Sequence, residues 1–424
     1  MRALVFVAAV MLAACAPRAE PDLNPFAEAY VRLALEIGTH EEGYIDAYYG
    51  PPEWKTEAEA YPRSTADLKA ATDALSAQIA TALAEARDPA VQRRARALAA
   101  YVSSARFRLD MIDGVRVPFA DEAERLFALR PALRPLESYD AAFERLDAIV
   151  PGDGPLADRV QALRNRYIIP HDKLLPVMQT AIAECRRRTA EHIELPANER
   201  FELSLVTGQS WGAYNYYQGD NHSLIQVNTD QPIYIDAAIG YGCHEGYPGH
   251  HVQGISAERL YRERGWVEFS IMPLFSPQGP LNEGGGNYGV DLAFPGEEKL
   301  AFERDTLFPL AGLDPATAPA LADLLEALQD LRGATLTVDQ MYLDGQIDRA
   351  RALELIQRYG VTSRERAERS LAFADHYRSY VINYSSGEDL VRAYAERAGA
   401  DNNARWRAYE SILTQPTLPE DLAQ

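Results

Sequence analysis

Residues 244–251 read His-Glu-Gly-Tyr-Pro-Gly-His-His and gather three of the chain's 8 histidines around one glutamate. Neutral imidazole is a preferred zinc ligand, and a glutamate beside such a ligand can take a proton from an activated water. The usual zinc-peptidase helix spaces its histidines four apart, as His-Glu-x-x-His. Here Pro248 stands where the second ligand would fall, and the next imidazoles are His250 and His251. On a straight helix six residues turn through about 240° and advance about 9 Å, so His244 and His250 would diverge. Seven residues restore the direction but separate His251 from His244 by about 10.5 Å. A shared metal therefore requires a break. Pro248 lacks an N–H and its ring clashes with the preceding turn, while Gly249 reaches conformations closed to other residues. The reading favours His250 as second ligand, with His251 as the alternative or as a residue that supports the site or meets substrate.

A catalytic zinc takes three protein ligands and leaves one position open. Glu283, in Asn282-Glu283-Gly284-Gly285-Gly286-Asn287-Tyr288, is the candidate third ligand. Asn287 and Asp291 follow at helical spacing and, with Tyr288, are candidates to hold a ligand or to meet substrate. An oxyanion stabiliser is sought in the stretch from His376 to Gly387. Tyr384 ranks first there, then Arg378 and His376. Cys243 adjoins His244, but a small buried residue on the other helix face is the better reading. A disulfide between Cys185 and Cys243 is open to the chain but has no support in their spacing. His40, His171, His192 and His222 read as structural or exposed.

The two segments HEGYPGHH and NEGGGNYG resemble a bacterial family called domain of unknown function 885, which is grouped with the gluzincin metallopeptidases. Its marks are His-Glu-x-x-Pro-Gly-His and a later Glu-Gly segment. This chain departs in carrying Gly284-Gly285-Gly286 where tryptophan and alanine are often found. The resemblance implies that His244, His250 and Glu283 bind one zinc ion. It also implies that Glu245 takes a proton from the attacking water and returns one to the leaving amine. A mainly helical, zincin-like build around a channel for short peptides is implied in the same way. Nitrogen and carboxylate donors also serve other divalent metals.

The elements that must position these residues follow from the wider pattern. The N-terminus has Met1-Arg2, an apolar run and Leu12-Ala13-Ala14-Cys15, which resembles a bacterial lipoprotein signal (1–14) with Cys15 as the lipidated first mature residue. Residues 15–24 then form a tether, and Ala16 resembles an outer-membrane sorting residue, which implies an envelope protein facing the periplasm. The run is too short to span a bilayer as a helix, so the membrane would be met through the lipid alone. A net charge of −20 argues against nucleic-acid partners, and a hydrophobic fraction of 47% supports a sizeable core. Oligomeric state is not legible.

Residues 25–194 read as helical. Ser64, with Asp67 three residues on, starts a helix in which Leu68, Leu75, Ile79 and Leu83 recur at helical spacing. Further helices are expected from Pro89 to Asp113 and from His171 to Ile193. Between them Tyr48-Tyr49-Gly50-Pro51-Pro52-Glu53-Trp54 reads as an aromatic corner, with a substrate-facing loop as the alternative. Residues 195–424 form the metal-site region, the two halves packing as one unit around a cleft. Short strands are expected at Ser223–Asn228 and Pro232–Asp236 beside the motif, with Leu224–Asn228 either an edge for an extended peptide or a scaffold strand. Helices are then expected at Pro315–Arg332, Asp348–Tyr359, Ser363–Tyr380 and Glu388–Ala398. The function expected is zinc-dependent peptide hydrolysis. A zinc-dependent amide or ester hydrolase of a non-peptide substrate, and a non-catalytic peptide-binding envelope lipoprotein, are the alternatives.

Overall fold

The computed structural model describes residues 19–209 and 211–423, and Cys15 with the expected signal segment lies outside them. The protein is mainly α-helical. Helices α1 (Asn24–Gly38), α2 (Pro52–Ala60), α3 (Thr65–Glu85), α4 (Pro89–Ile112) and α5 (Phe119–Phe127) form the first layer, interrupted by strand β1 (Ile45–Tyr48). Ser64 caps α3: its Oγ accepts the Asp67 N–H at 3.2 Å, an arrangement worth about 1 kcal/mol to a helix start. The spacing of Leu68, Leu75 and Ile79 places all three in the core.

Helices α6 (Asp140–Ile149), α7 (Leu156–Arg164) and α8 (His171–Thr189) lead to a three-stranded sheet. Its strands are β2 (Arg200–Val206), β3 (Ala213–Gly219) and β4 (His222–Asn228), in the order β2-β4-β3. β4 runs parallel to β2, from Arg200 opposite His222 to Val206 opposite Asn228, and antiparallel to β3. β4 is thus the central strand with both edges paired, so Leu224–Asn228 is scaffold and not a docking edge. The expected strand at Pro232–Asp236 does not form. Tyr234 makes one isolated bridge to Ile168, and helix α9 (Ile235–Tyr241) begins directly after it.

Helix α10 (His250–Arg264) is followed by β5 (Ile271–Pro273), which pairs antiparallel with β1. Helix α11 (Gly279–Ala293), the short α12 (Glu298–Phe302) and α13 (Phe308–Ala311), then α14 (Ala318–Gln329), α15 (Ala334–Leu343), α16 (Arg349–Tyr359) and α17 (Arg364–Tyr377) follow. The chain ends in α18 (Ile382–Arg397), α19 (Asn402–Leu413) and α20 (Pro419–Leu422). Helix α18 starts earlier than the Asn383–Gly387 segment suggests, because Gly387 is not a breaker. It lies against the Pro280 backbone, where a side chain would fall 2.4 Å from a carbonyl oxygen.

Three apolar cores hold these layers. The first joins α1, α3, α4 and α5 to Ile271, Phe275, Tyr380 and Ile382. The second joins α8, α9, α11, α18 and α19, and the third joins α6 and α14–α17. The aromatic corner packs: Tyr49 donates its hydroxyl to the Phe269 carbonyl at 2.6 Å, and Arg32 lies 4.4 Å over the Trp54 ring. No helix among the described residues is long and apolar enough to cross a membrane.

Candidate metal centre

Between α9 and α10 the backbone leaves α-helical winding. Residues Gly242–Gly246 form a wide π-helical turn. The Tyr247 N–H donates to the Gly242 carbonyl five residues back at 3.1 Å, and the Gly249 N–H to Cys243 six back at 2.9 Å. Such widened turns recur at functional sites because they redirect side chains. A cis Tyr247–Pro248 peptide follows. At Gly249 any side chain would meet the His244 carbonyl oxygen at 1.9 Å, so only glycine fits the return. The bend brings the His244 and His250 rings to 4.6 Å between centroids, perpendicular to each other.

Glu283, on α11, completes the group. Its Oε2 lies 3.4 Å from His244 Nε2 and 3.7 Å from His250 Nε2. The three residues present one ligand atom each, all within 4.8 Å of one another. A tetrahedral ion with bonds of about 2.0–2.1 Å sets its ligand atoms about 3.3–3.4 Å apart, so the spacing fits. The donor set of two imidazoles and one carboxylate suits zinc with a position left for solvent.

Each ligand is oriented from behind. Asn287 donates its amide NH2 to the Tyr384 carbonyl at 2.8 Å, which turns its Oδ1 to His244 Nδ1 at 2.9 Å. Gln253 donates to the Asn282 carbonyl at 2.9 Å, which turns its Oε1 to His250 Nδ1 at 2.9 Å. Both amides therefore accept from Nδ1–H, and both Nε2 atoms face Glu283. The Tyr380 hydroxyl donates to Glu283 Oε1 at 2.7 Å, leaving Oε2 to the imidazoles. Burial disfavours charge on Glu283, but hydrogen bonds from both histidines outweigh it and hold its carboxyl well below the usual range. Burial likewise pulls His250 down, but the Glu283 partner and the Glu245 charge lift it to about 10.

Glu245 is buried, and the Asn215 amide donates to its backbone carbonyl at 2.5 Å. Its charge acts on His250, on Asp46 and on Tyr384. Tyr384 is 39% exposed beside the ring of Tyr380, at 5.9 Å. Burial of its hydroxyl end, more than of the residue as a whole, and the Glu283 charge push its phenol well above the usual range, so it stays protonated.

Other candidates lie elsewhere. His251 is fully buried on the opposite side, where its two ring nitrogens meet Ser223 at 2.8 Å and Glu199 at 3.2 Å, so neither faces the cluster. Asp291 pairs with Arg392 at 2.6 Å, and Tyr288 is a core ring under the same arginine. Arg378 is held by buried Glu122 at 2.8 Å, and His376 is exposed against Tyr377. Cys243 is bonded to Cys185, its Cα 5.4 Å away on α8, which removes it as a ligand and ties the π-turn down.

Asp46, Tyr214 and Gln253 escaped the sequence reading as site residues, and Tyr380 lay in the stretch searched for an oxyanion stabiliser without being singled out. Asp46 accepts the Tyr214 hydroxyl at 2.7 Å, and burial raises its pKa while the charges of His250, Glu283 and Glu245 act on it. Asp46 stands two residues before the aromatic corner, and Gln253 follows His250 at helical spacing. Those positions were the available signals.

No protein-family model matches the sequence. No curated protein matches it. Among solved structures, a protein provisionally assigned as a lipoprotein from Colwellia psychrerythraea superposes with a TM-score of 0.50 at 13% identity, over 95% of this chain and 76% of that one. An M32 carboxypeptidase from Deinococcus radiodurans gives a TM-score of 0.42 at 13% identity, over 94% and 92% of the two chains.

Proposed function

We propose that the chain is a zinc-dependent peptidase acting on short peptides, of the gluzincin type that its two motifs resemble, exported as a lipoprotein on Cys15 and held at the periplasmic face of the outer membrane. The observation that carries this reading is the convergence of three donor atoms, each turned inward by its own hydrogen-bond partner, beside a buried glutamate. A purely structural site has no need of that glutamate. A bound zinc ion supplies Lewis acidity and lowers the pKa of water.

In this reading His244, His250 and Glu283 hold the ion, with Asn287, Gln253 and Tyr380 fixing their orientation. Glu245 takes the proton from the attacking water and passes it to the leaving amine. Tyr384, kept protonated, donates to the oxyanion that develops on the scissile carbonyl. The halves 25–194 and 195–424 act as one unit around the cleft, supported by the core that joins α1–α5 to Phe275 and Tyr380. The buried Cys185–Cys243 disulfide suits an oxidising compartment outside the cytoplasm.

The test pairs metal analysis of the purified protein with a peptide-library digest read by mass spectrometry. Glu245→Gln is expected to keep its zinc and lose about 10²–10⁴-fold in turnover. Turnover that survives this change removes Glu245 from the mechanism. Cleavage of small amides or esters with no peptide cleaved would transfer the chemistry to a non-peptide substrate.

A further inference from the structure

A cavity of about 640 Å³ lies among α14, α15, α17 and the start of α18. Tyr384 forms part of its wall. That residue also accepts the hydrogen bond from Asn287 that orients His244, so the cavity begins one residue from the ligand set. The lining is mixed, with Leu328, Leu336, Phe373 and Tyr359 among its apolar side chains. Asp339 of α15 stands in the same wall, 5% exposed. Its Oδ1 has no hydrogen-bond partner among the described residues. The other charges of the lining are engaged: Arg332 by Glu388 at 2.6 Å, Arg164 by Asp236 at 3.1 Å, and Lys299 by Glu303 at 3.2 Å.

A buried carboxylate oxygen without a donor is costly, and a native fold keeps one where something else supplies the partner. Apolar side chains beside the one unpaired acidic group of the lining match an aliphatic stem ending in a cation. We propose that this cavity is a substrate subsite in which Asp339 binds the ammonium or guanidinium of a basic group on the peptide held at the metal centre. This rests on the peptidase reading above. Burial, with a smaller contribution from the Asp375 charge, pushes the Asp339 carboxyl up to about 7. An arriving cation restores its charge.

The test uses the zinc-loaded full chain and paired peptides that differ only in lysine against norleucine, placed in turn on each side of the scissile bond. Each pair is made with a free and with an acetylated amino terminus. In the wild-type protein kcat/KM is expected to favour lysine by about tenfold or more at one position, and in Asp339→Asn that ratio is expected to fall toward one. A preference that follows the free terminus instead supports the site with the terminal ammonium as occupant. No cationic preference at any position, or a preference kept in Asp339→Asn, overturns the proposal.

Binding of n-butylamine to the Glu245→Gln protein, with n-butanol as control, tests the subsite without turnover. The amine is expected to bind at least about tenfold tighter than the alcohol, and Asp339→Asn is expected to remove the difference. If no peptide is cleaved but this difference is present, the peptidase reading fails and the cation site stands. Equal binding of amine and alcohol overturns the site whatever the enzyme does.

Discussion

Replacing Asn287 by leucine isolates the orientation of a metal ligand from the ligand itself. In the native protein the His244 imidazole gives its Nδ1–H to Asn287 Oδ1 at 2.9 Å, which keeps the Nε2 lone pair turned toward Glu283. Leucine has nearly the same reach and cannot accept. The ring then loses both the bond that selects its tautomer and the acceptor that makes Nε2 a better donor. Outer partners of this kind are worth about 10–100-fold in metal affinity, or about 1.4–2.7 kcal/mol. The Tyr384 carbonyl also loses its donor, but that bond is exposed and water can replace it, so folding should change little. Asn287→Asp should hold zinc at least as tightly as the wild type, since a carboxylate is the stronger acceptor for Nδ1–H. Competition against a chromophoric chelator gives the affinity, and thermal unfolding of the metal-free proteins gives the control. Asn287→Leu binding zinc within about threefold of wild type would show that the hydrogen bond does not orient the ligand.

Two further outcomes follow from residues behind the site. The Cys185–Cys243 bond closes a separation of 58 residues, and the chain-entropy relation makes that worth about 4 kcal/mol, so the Cys185→Ala/Cys243→Ala double variant should lose about that much in urea unfolding, and a loss below about 1 kcal/mol would count against it. The Glu199 side chain is buried, which disfavours its charge, but bonds from His251, Tyr247 and Arg186 prevail and draw its carboxyl from 4.5 down to about 2. A carboxyl depressed on folding stabilises fully above its unfolded value and loses that contribution as pH falls through the folded one. With Arg186 half exposed, the contribution is discounted to about 2 kcal/mol. Between about pH 5 and about pH 2 the metal-free wild type should therefore lose more stability than Glu199→Gln, and parallel losses would refute the assignment.

The sequence carries the helical class and the location of the cluster plainly, because both depend on local information. Leu68, Leu75 and Ile79 mark a buried stripe by spacing alone, and Pro248-Gly249 marks the break that two distant imidazoles need. What stays hidden depends on who stands opposite. His250 and His251 are adjacent in the chain, but Ser223 and Glu199 lie across from His251 and claim it, and no pattern near residue 251 shows that. Tyr380 and Tyr384 are one helical turn apart, and only the position of Glu283 separates the hydroxyl that holds a ligand from the tyrosine that is left partly exposed. The glycines between 284 and 286 weaken the helix when read locally. In the fold Gly284 admits the Gly387 backbone and Gly286 lies under the His244 ring, where added carbons would meet atoms at 2.2 and 2.8 Å. Weak helix propensity is thus exchanged for close approach of α11 to both α18 and the ligand. That exchange makes the site depend on packing at residues that touch no metal, so Gly387→Ala, which brings a carbon within 2.4 Å of the Pro280 carbonyl, belongs to the same mechanical unit as Glu283.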